Sequence, residues 1–151
     1  METSVLTSTE EETEAFATAF AETIKVPTVI ALHGNLGAGK TVFSRGFARG
    51  LGVAEPISSP TFTIIQEYPL SEGKWLFHLD LYRIQDSNAA LAFGVDEYIE
   101  DPNGVMLVEW SERIPELLPE GTIHVYIIHK GENQRAITVT DTIDTELLEL
   151  E

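Results

Sequence analysis

Thr28-Val-Ile-Ala-Leu-His33-Gly34-Asn-Leu-Gly-Ala-Gly-Lys40-Thr41 is the stretch on which the reading of the chain turns. Its first six residues are mostly apolar and partly β-branched, with Pro27 before them and Gly34 after, as expected of a buried parallel strand. The remaining eight fit G-x-x-x-x-G-K-[ST] at every fixed position. From Lys40 to Leu51 the apolar residues Val42, Phe43, Phe47 and Leu51 fall on one helical stripe, and Gly52 can end the helix in a left-handed conformation. Strand, glycine-rich loop and helix therefore follow one another without a break. That context separates a phosphate-binding loop from a chance glycine turn. Gly37 and Gly39 let the backbone turn its N–H groups inward where no Cβ obstructs a phosphate, and the helix adds the positive end of its dipole. Lys40 is expected to reach the β- and γ-phosphates and the Thr41 hydroxyl to ligate Mg²⁺. The nucleotide-binding segment is expected to comprise Leu36, Gly37, Ala38, Gly39, Lys40, Thr41 and Val42.

Toward the N-terminus, Phe16, Phe20 and Ile24 recur at i, i+4 and i+8 behind a capping box made by Ser8 with Glu11 or by Thr9 with Glu12, which predicts an amphipathic helix over 9–24. Toward the C-terminus, strand-like runs at 62–68 and 75–82 joined by Leu70-Ser-Glu-Gly-Lys74 predict a hairpin. A weaker helical pattern over 86–100 is interrupted by Gly94. The turn Asp101-Pro-Asn-Gly104 leads into the apolar strand Val105-Met-Leu-Val108. A short helix is expected over 111–118, and runs at 122–129 and 135–140 read as a closing hairpin. No internal repeat or linker interrupts the pattern, so one domain spanning 1–151 is expected, with an acidic tail from about 141.

A phosphate-loop metal site needs an acid at the carboxyl end of a neighbouring strand. Glu109, directly after the 105–108 run, is the candidate metal ligand; the competing reading is a surface pair with Arg113. In the 75–82 run side chains alternate, so His78, Asp80 and Tyr82 share a face. Asp80 is thus a second candidate, to hold a metal-bound water or orient an attacking one, or else to partner Arg83 or His78. Thr61, in Ser58-Ser-Pro-Thr61, is placed either to close over a γ-phosphate or to start a strand. His78 and Tyr82 read as packing or hydrogen-bonding residues, and Trp110 as core or as a neighbour of the nucleotide. Arg45 and Arg49 read as a solvated helix face that could meet an acidic partner. The start of the first helix and the strand at Arg135 are candidate walls for the base.

None of the four lysines sits in an N/T-K-x-D guanine-reading segment, so ATP is the expected nucleotide. After Glu109 only Lys130, Arg113 and Arg135 are basic, which is poor in arginine for a kinase lid and favours transfer of phosphate to water. A nucleotide-dependent interaction module and a small-molecule kinase are the competing functional readings.

The net charge of −16 over 151 residues disfavours free binding to nucleic acid. Eleven of the 25 acids lie in residues 1–24 and 141–151, which contain no Lys or Arg. The span 25–140 carries 14 acids against all nine bases, leaving room for an anionic ligand. Those acidic ends are either a solvated face and solubilising tail or a docking surface for a basic partner. With no cysteine, disulfides, thiolate metal sites and Cys nucleophiles are excluded. The N-terminus lacks a signal-peptide pattern and no run reaches a membrane span, so a cytoplasmic protein with no membrane partner is expected.

Taken together, His33-Gly-Asn-Leu-Gly-Ala-Gly-Lys-Thr41, Phe43-Ser-Arg-Gly46, Ser59-Pro-Thr-Phe62, His78-Leu-Asp-Leu-Tyr-Arg83 and Leu107-Val-Glu-Trp110 resemble the TsaE (YjeE) family over roughly residues 9–140. The resemblance implies an α/β, P-loop NTPase-like three-layer fold with central parallel strands flanked by antiparallel strands. It implies weak ATP hydrolysis with Mg²⁺ by the isolated subunit, and work in complex with TsaB and TsaD on threonylcarbamoylation of adenosine 37 in tRNA, which is met through the complex. ATP binding and hydrolysis would reset that complex between rounds. By motif, Lys40 and Thr41 would serve phosphates and metal, Glu109 the metal, Asp80 metal and water, Thr61 the γ-phosphate, with Trp110 close by. Two departures stand out: Val42 replaces the second Thr of many members, and Ser87-Asn-Ala-Ala-Leu91 is neutral where the family often carries an acidic turn.

Overall fold

A computed structural model of the chain describes residues 2–35, 38–57 and 64–143. Leu36, Gly37, the Ser58 to Thr61 loop and the tail beyond 143 lie outside the described residues. Seven strands form one sheet: β1 (Glu2–Thr7), β2 (Thr28–His33), β3 (Ile65–Pro69), β4 (Trp75–Asp80), β5 (Gly104–Glu109), β6 (Ile123–His129) and β7 (Arg135–Thr140). Their spatial order is β1-β7-β6-β2-β5-β4-β3. The four inner strands β6, β2, β5 and β4 run parallel, and β1, β7 and β3 are antiparallel to their neighbours.

Helices cover both faces. α1 (Glu10–Glu22) and α2 (Lys40–Leu51) lie on one side, where Ala17, Ala21, Phe43 and Phe47 meet Ile30, Leu32, Val105, Leu107, Val125 and Ile127. On the other side α3 (Ser87–Ala92) and α4 (Val95–Ile99) bring Ala90 and Val95 to Val29, Phe77, Leu79, Met106 and Val108. Odd and even positions of β2 and β5 thus feed opposite cores. A parallel strand covered on both faces is therefore a continuous apolar run. Gly94 separates α3 from α4 with φ of 77°. Among the described residues no helix is long and apolar enough to cross a membrane.

Two local expectations are corrected, and one strand was not anticipated. Residues 2–7 form an edge strand paired with β7, which their polar composition did not announce. The span 111–118 is two short 3₁₀ turns, Ser111–Arg113 and Pro115–Leu117, because Pro115 removes an N–H and holds Ile114 out of helical geometry at φ −133°. The buried stripe of α1 is Thr13, Ala17 and Ala21, with Phe16 and Phe20 only partly buried.

Thr9 caps α1: its Oγ1 accepts from Glu12 N–H at 3.0 Å, and the Glu12 carboxylate accepts from Ser8 N–H at 2.6 Å. The shift in stripe follows from how α2 approaches. A Cβ added at Gly46 would overlap the Glu14 carbonyl, and one at Gly50 the Thr18 carbonyl and the Ala21 methyl. Small residues on both helices let the backbones nearly touch, and Thr18 Oγ1 donates to the Gly46 carbonyl at 2.9 Å. Arg49 and Arg45 pair with Glu14 across the same seam at 2.5 and 4.0 Å.

Helix propensity alone favours Gly46→Ala by about 1 kcal/mol. The overlap is with backbone, which no rotamer change can relieve, and overpacking of this kind costs about 1–3 kcal/mol or more. Gly46→Ala is therefore expected to lose a net of up to about 2 kcal/mol of stability, read as a lower urea midpoint at unchanged m-value; a midpoint equal to or above wild type would contradict the seam.

Candidate functional site

The carboxyl ends of β2, β5 and β4 meet where the chain, after β5, crosses β2 to build β6 on its far side. Such a switch point leaves a crevice at the strand ends. A cavity of about 810 Å³ opens there, bounded by the phosphate loop, the ends of β4 and β5, the start of α1 and the β6–β7 turn. Its volume suits a nucleotide-sized ligand.

α2 begins on Gly39, whose φ of 110° is left-handed and which supplies no side-chain cap. The first-turn N–H groups have no intrahelical acceptor, and Gly39, Lys40, Thr41 and Val42 all line the cavity. This is an anion-binding arrangement. Ala38 differs from Gly39, Lys40, Thr41 and Val42: it is buried and does not line the cavity. Its N–H donates to the Asn35 carbonyl at 2.9 Å, and its carbonyl accepts from Arg135 Nε at 2.7 Å.

The two acids arrive from adjacent strands. Asp80 and Glu109 are paired in register between β4 and β5, and both line the cavity. Glu109 is only 8% exposed, so its charge needs partners. Oε1 lies 3.8 Å from Lys40 Nζ, and Oε2 lies 2.8 Å from His78 Nε2. The pairing of Glu109 with Arg113 is not formed. Arg113 instead lies over Trp110, 5.5 Å from the ring centroid, and donates to the Tyr82 carbonyl at 3.5 Å. Asp80 Oδ1 accepts from Tyr82 N–H at 2.9 Å. Trp110 lines the cavity with Lys40 Nζ 5.4 Å from its ring, and its backbone is left-handed at φ 65°.

The cavity is also walled by Thr9 at the N-cap of α1, by Glu10 and Thr13 of α1, and by Asn133 and Arg135 from the closing hairpin, the two regions picked out as walls for the base. At the end of β2, His33 stacks on Tyr126 at 4.6 Å, and its Nε2 is 3.0 Å from His124 Nδ1. Burial, then the nearby His124 and Lys40 charges, lower the His33 pKa to about 3, and burial lowers that of His124.

Lys40, Thr41, Val42, Gly39, Asp80, Glu109 and Trp110 therefore share one cavity, while Thr61, Leu36 and Gly37 fall outside the described residues. Sequence reasoning missed the Arg135 brace, the His78–Glu109 bond and the His33–His124 pair. The alternation that put His78 on the Asp80 face was a usable signal for the second; nothing local announces the other two. Among the described residues no three His, Asp or Glu side chains gather as a chelating cluster. A hydroxyl and one or two carboxylates are hard oxygen donors that fit Mg²⁺, which keeps several waters and takes its remaining ligands from phosphates.

A family model described as threonylcarbamoyl adenosine biosynthesis protein TsaE matches residues 7–137. The chain is 46% identical over 131 residues to the tRNA threonylcarbamoyladenosine biosynthesis protein TsaE of Bacillus subtilis, covering 86% of this chain and 80% of that one. The Nostoc protein of the same name is 39% identical over 142 residues, covering 91% and 85%. The Treponema pallidum protein is 35% identical over 130 residues, covering 85% and 93%. The crystal structure of Bacillus subtilis YdiB superposes with a TM-score of 0.78 at 37% identity, covering 99% of this chain and 91% of that one.

The histidine pair makes this rim sensitive to acid. An unfolded histidine takes up its proton near pH 6.5, whereas His33 in the folded chain does so only near 3. Between those values the unfolded state binds more protons, so stability is complete above about pH 6.5 and falls as the pH drops. At about pH 5 the loss attributable to His33 is about 2 kcal/mol. Urea unfolding at about pH 7.5 and about pH 5 should show a smaller acid-induced loss in His33→Asn than in wild type by roughly that amount; equal losses would remove the assignment.

Proposed function

The chain belongs to the TsaE family of threonylcarbamoyl adenosine biosynthesis proteins, and from that premise we propose that it is a Mg²⁺-dependent ATPase serving the formation of threonylcarbamoyladenosine in tRNA. One observation carries the reading: an uncapped helix start, the Lys40 ammonium and the Glu109 carboxylate, 3.8 Å apart, meet in a cavity large enough for a nucleotide. Each part suits phosphoryl transfer, where positioning and charge stabilisation do most of the catalytic work.

In this reading the first-turn N–H groups of α2 and Lys40 bind the β- and γ-phosphates. Thr41 Oγ1 and Glu109 Oε1 would hold the cation, which when bound would neutralise charge on the phosphates. Asp80, in register with Glu109 and fixed by Tyr82 N–H, orients the attacking water and accepts its proton. Thr61 contacts the γ-phosphate, and Leu36 and Gly37 complete the loop. Thr9, Glu10, Asn133 and Arg135 surround the base and ribose. The absence of a guanine-reading lysine segment supports ATP.

The proposed partners are proteins of the TsaB and TsaD type, with ATP turnover resetting their complex between rounds. Physical support comes from charge. A chain at −16 is repelled by a phosphodiester backbone, so tRNA is met through the complex. The proposed work on tRNA supports a cytoplasmic location.

Phosphate release and ATP binding, measured alone and with the two partners and tRNA, test the reading. Lys40→Ala should abolish ATP binding. Glu109→Ala and Asp80→Ala should keep binding within about tenfold while phosphate release falls by about 100-fold or more. Undiminished hydrolysis by any of the three refutes the role assigned to it.

A further inference from the structure

His78 is 2% exposed, lies two residues before Asp80 on β4 and faces α2, on the same side of the sheet as Glu109. In the β4–β5 register it stands opposite Leu107, so it reaches Glu109 diagonally, and its Nε2 closes to 2.8 Å from Oε2. Its other ring nitrogen, Nδ1, is buried and makes no hydrogen bond. An orphaned buried N–H costs more than a bare lone pair on a neutral ring, which selects the tautomer with the proton on Nε2. His78 is then the donor and the carboxylate the acceptor.

This bond divides the work of the carboxylate. A free glutamate samples several rotamers, and a carboxylate pinned through one oxygen presents the other in a fixed direction. Here the free oxygen, Oε1, looks toward Lys40 across 3.8 Å, an ion-pair distance longer than a hydrogen bond. Glu109 also faces Asp80 in register, so two like charges meet at this strand end. The His78 N–H offsets part of that repulsion from behind, leaving the cavity side clear.

We propose that His78 is a positioning residue: its Nε2–H holds Oε2 of Glu109 so that Oε1 is aimed at Lys40 and at the cation carried by the nucleotide. The proposal rests on the reading of Glu109 as a metal ligand. It assigns no chemical step to His78.

The test compares the affinity of N-methylanthraniloyl-ATP with Mg²⁺ and with EDTA, for folded variants checked by circular dichroism. In wild type Mg²⁺ should strengthen binding; no enhancement there removes the metal role of Glu109 on which the proposal rests. His78→Leu, which fills similar volume without a donor, should lose about threefold or more of that enhancement, though no more than Glu109→Ala loses, while affinity in EDTA stays within about twofold. His78→Gln, whose amide can donate from a similar place, should restore most of it. An enhancement unchanged in His78→Leu, or lost equally in His78→Gln, overturns the proposal. Glu109→Ala separates the two levels: if it keeps the enhancement, the metal role of Glu109 fails; if it loses the enhancement while His78→Leu keeps it, only the role of His78 fails. Should His78→Leu not fold, nitrogen NMR of the labelled wild-type protein decides, with protonation at Nδ1 rather than Nε2 excluding the bond.

Discussion

Burying a carboxylate at the end of a parallel strand is unfavourable unless donors meet it, and Glu109 at 8% exposure imposes that demand on the whole architecture. The donors come from two other elements, Lys40 from α2 and His78 from β4. They converge only because β5 lies between β2 and β4 and all three run the same way. α2 must also settle close to the sheet, and the seam at Gly46 and Gly50 is what lets α1 pack against it without prising it away. Sheet order, helix seating and the charge cluster are thus one constraint seen at three scales.

Elements with strong local signals were legible in the sequence. The strand–loop–helix at 28–51, the two hairpins and the helix broken at Gly94 each carry their signal in adjacent residues, and each is present within the described residues. What escaped was set by partners distant in the chain. β1 is an edge strand with four of its six residues exposed, so little apolar alternation marks it; pairing with β7 makes it a strand. The α1 stripe turned toward Thr13, Ala17 and Ala21 because α2 presents glycines, and close backbone approach selects small side chains over the more hydrophobic Phe16 and Phe20.

The site divides in the same way. Its residue types and their strand-end positions could be read from Lys40, Thr41, Asp80 and Glu109. Their pairings could not, because a competing local pair was equally available. Glu109 and Arg113 are four apart, yet Trp110 between them adopts a left-handed backbone that sends the chain away, and Arg113 goes to the Trp110 ring. Arg135 contributes from nearly 100 positions beyond the carbonyl it holds, at Ala38, a separation no sequence pattern encodes.

An acidic chain that receives a triphosphate presents an apparent conflict, which distance resolves. Screening confines the field of exposed charges to about 8 Å at physiological ionic strength, so exposed acids remote from the cavity matter less to a bound phosphate than the groups beside it. Those groups are the open helix start and Lys40, both at the cavity. Asp80 and Glu109 remain within the same space and would repel a bare triphosphate. In the proposed reading a divalent cation lets two carboxylates and the phosphates occupy one cavity, and His78, donating from the dry side of Glu109, leaves the wet side free to hold it.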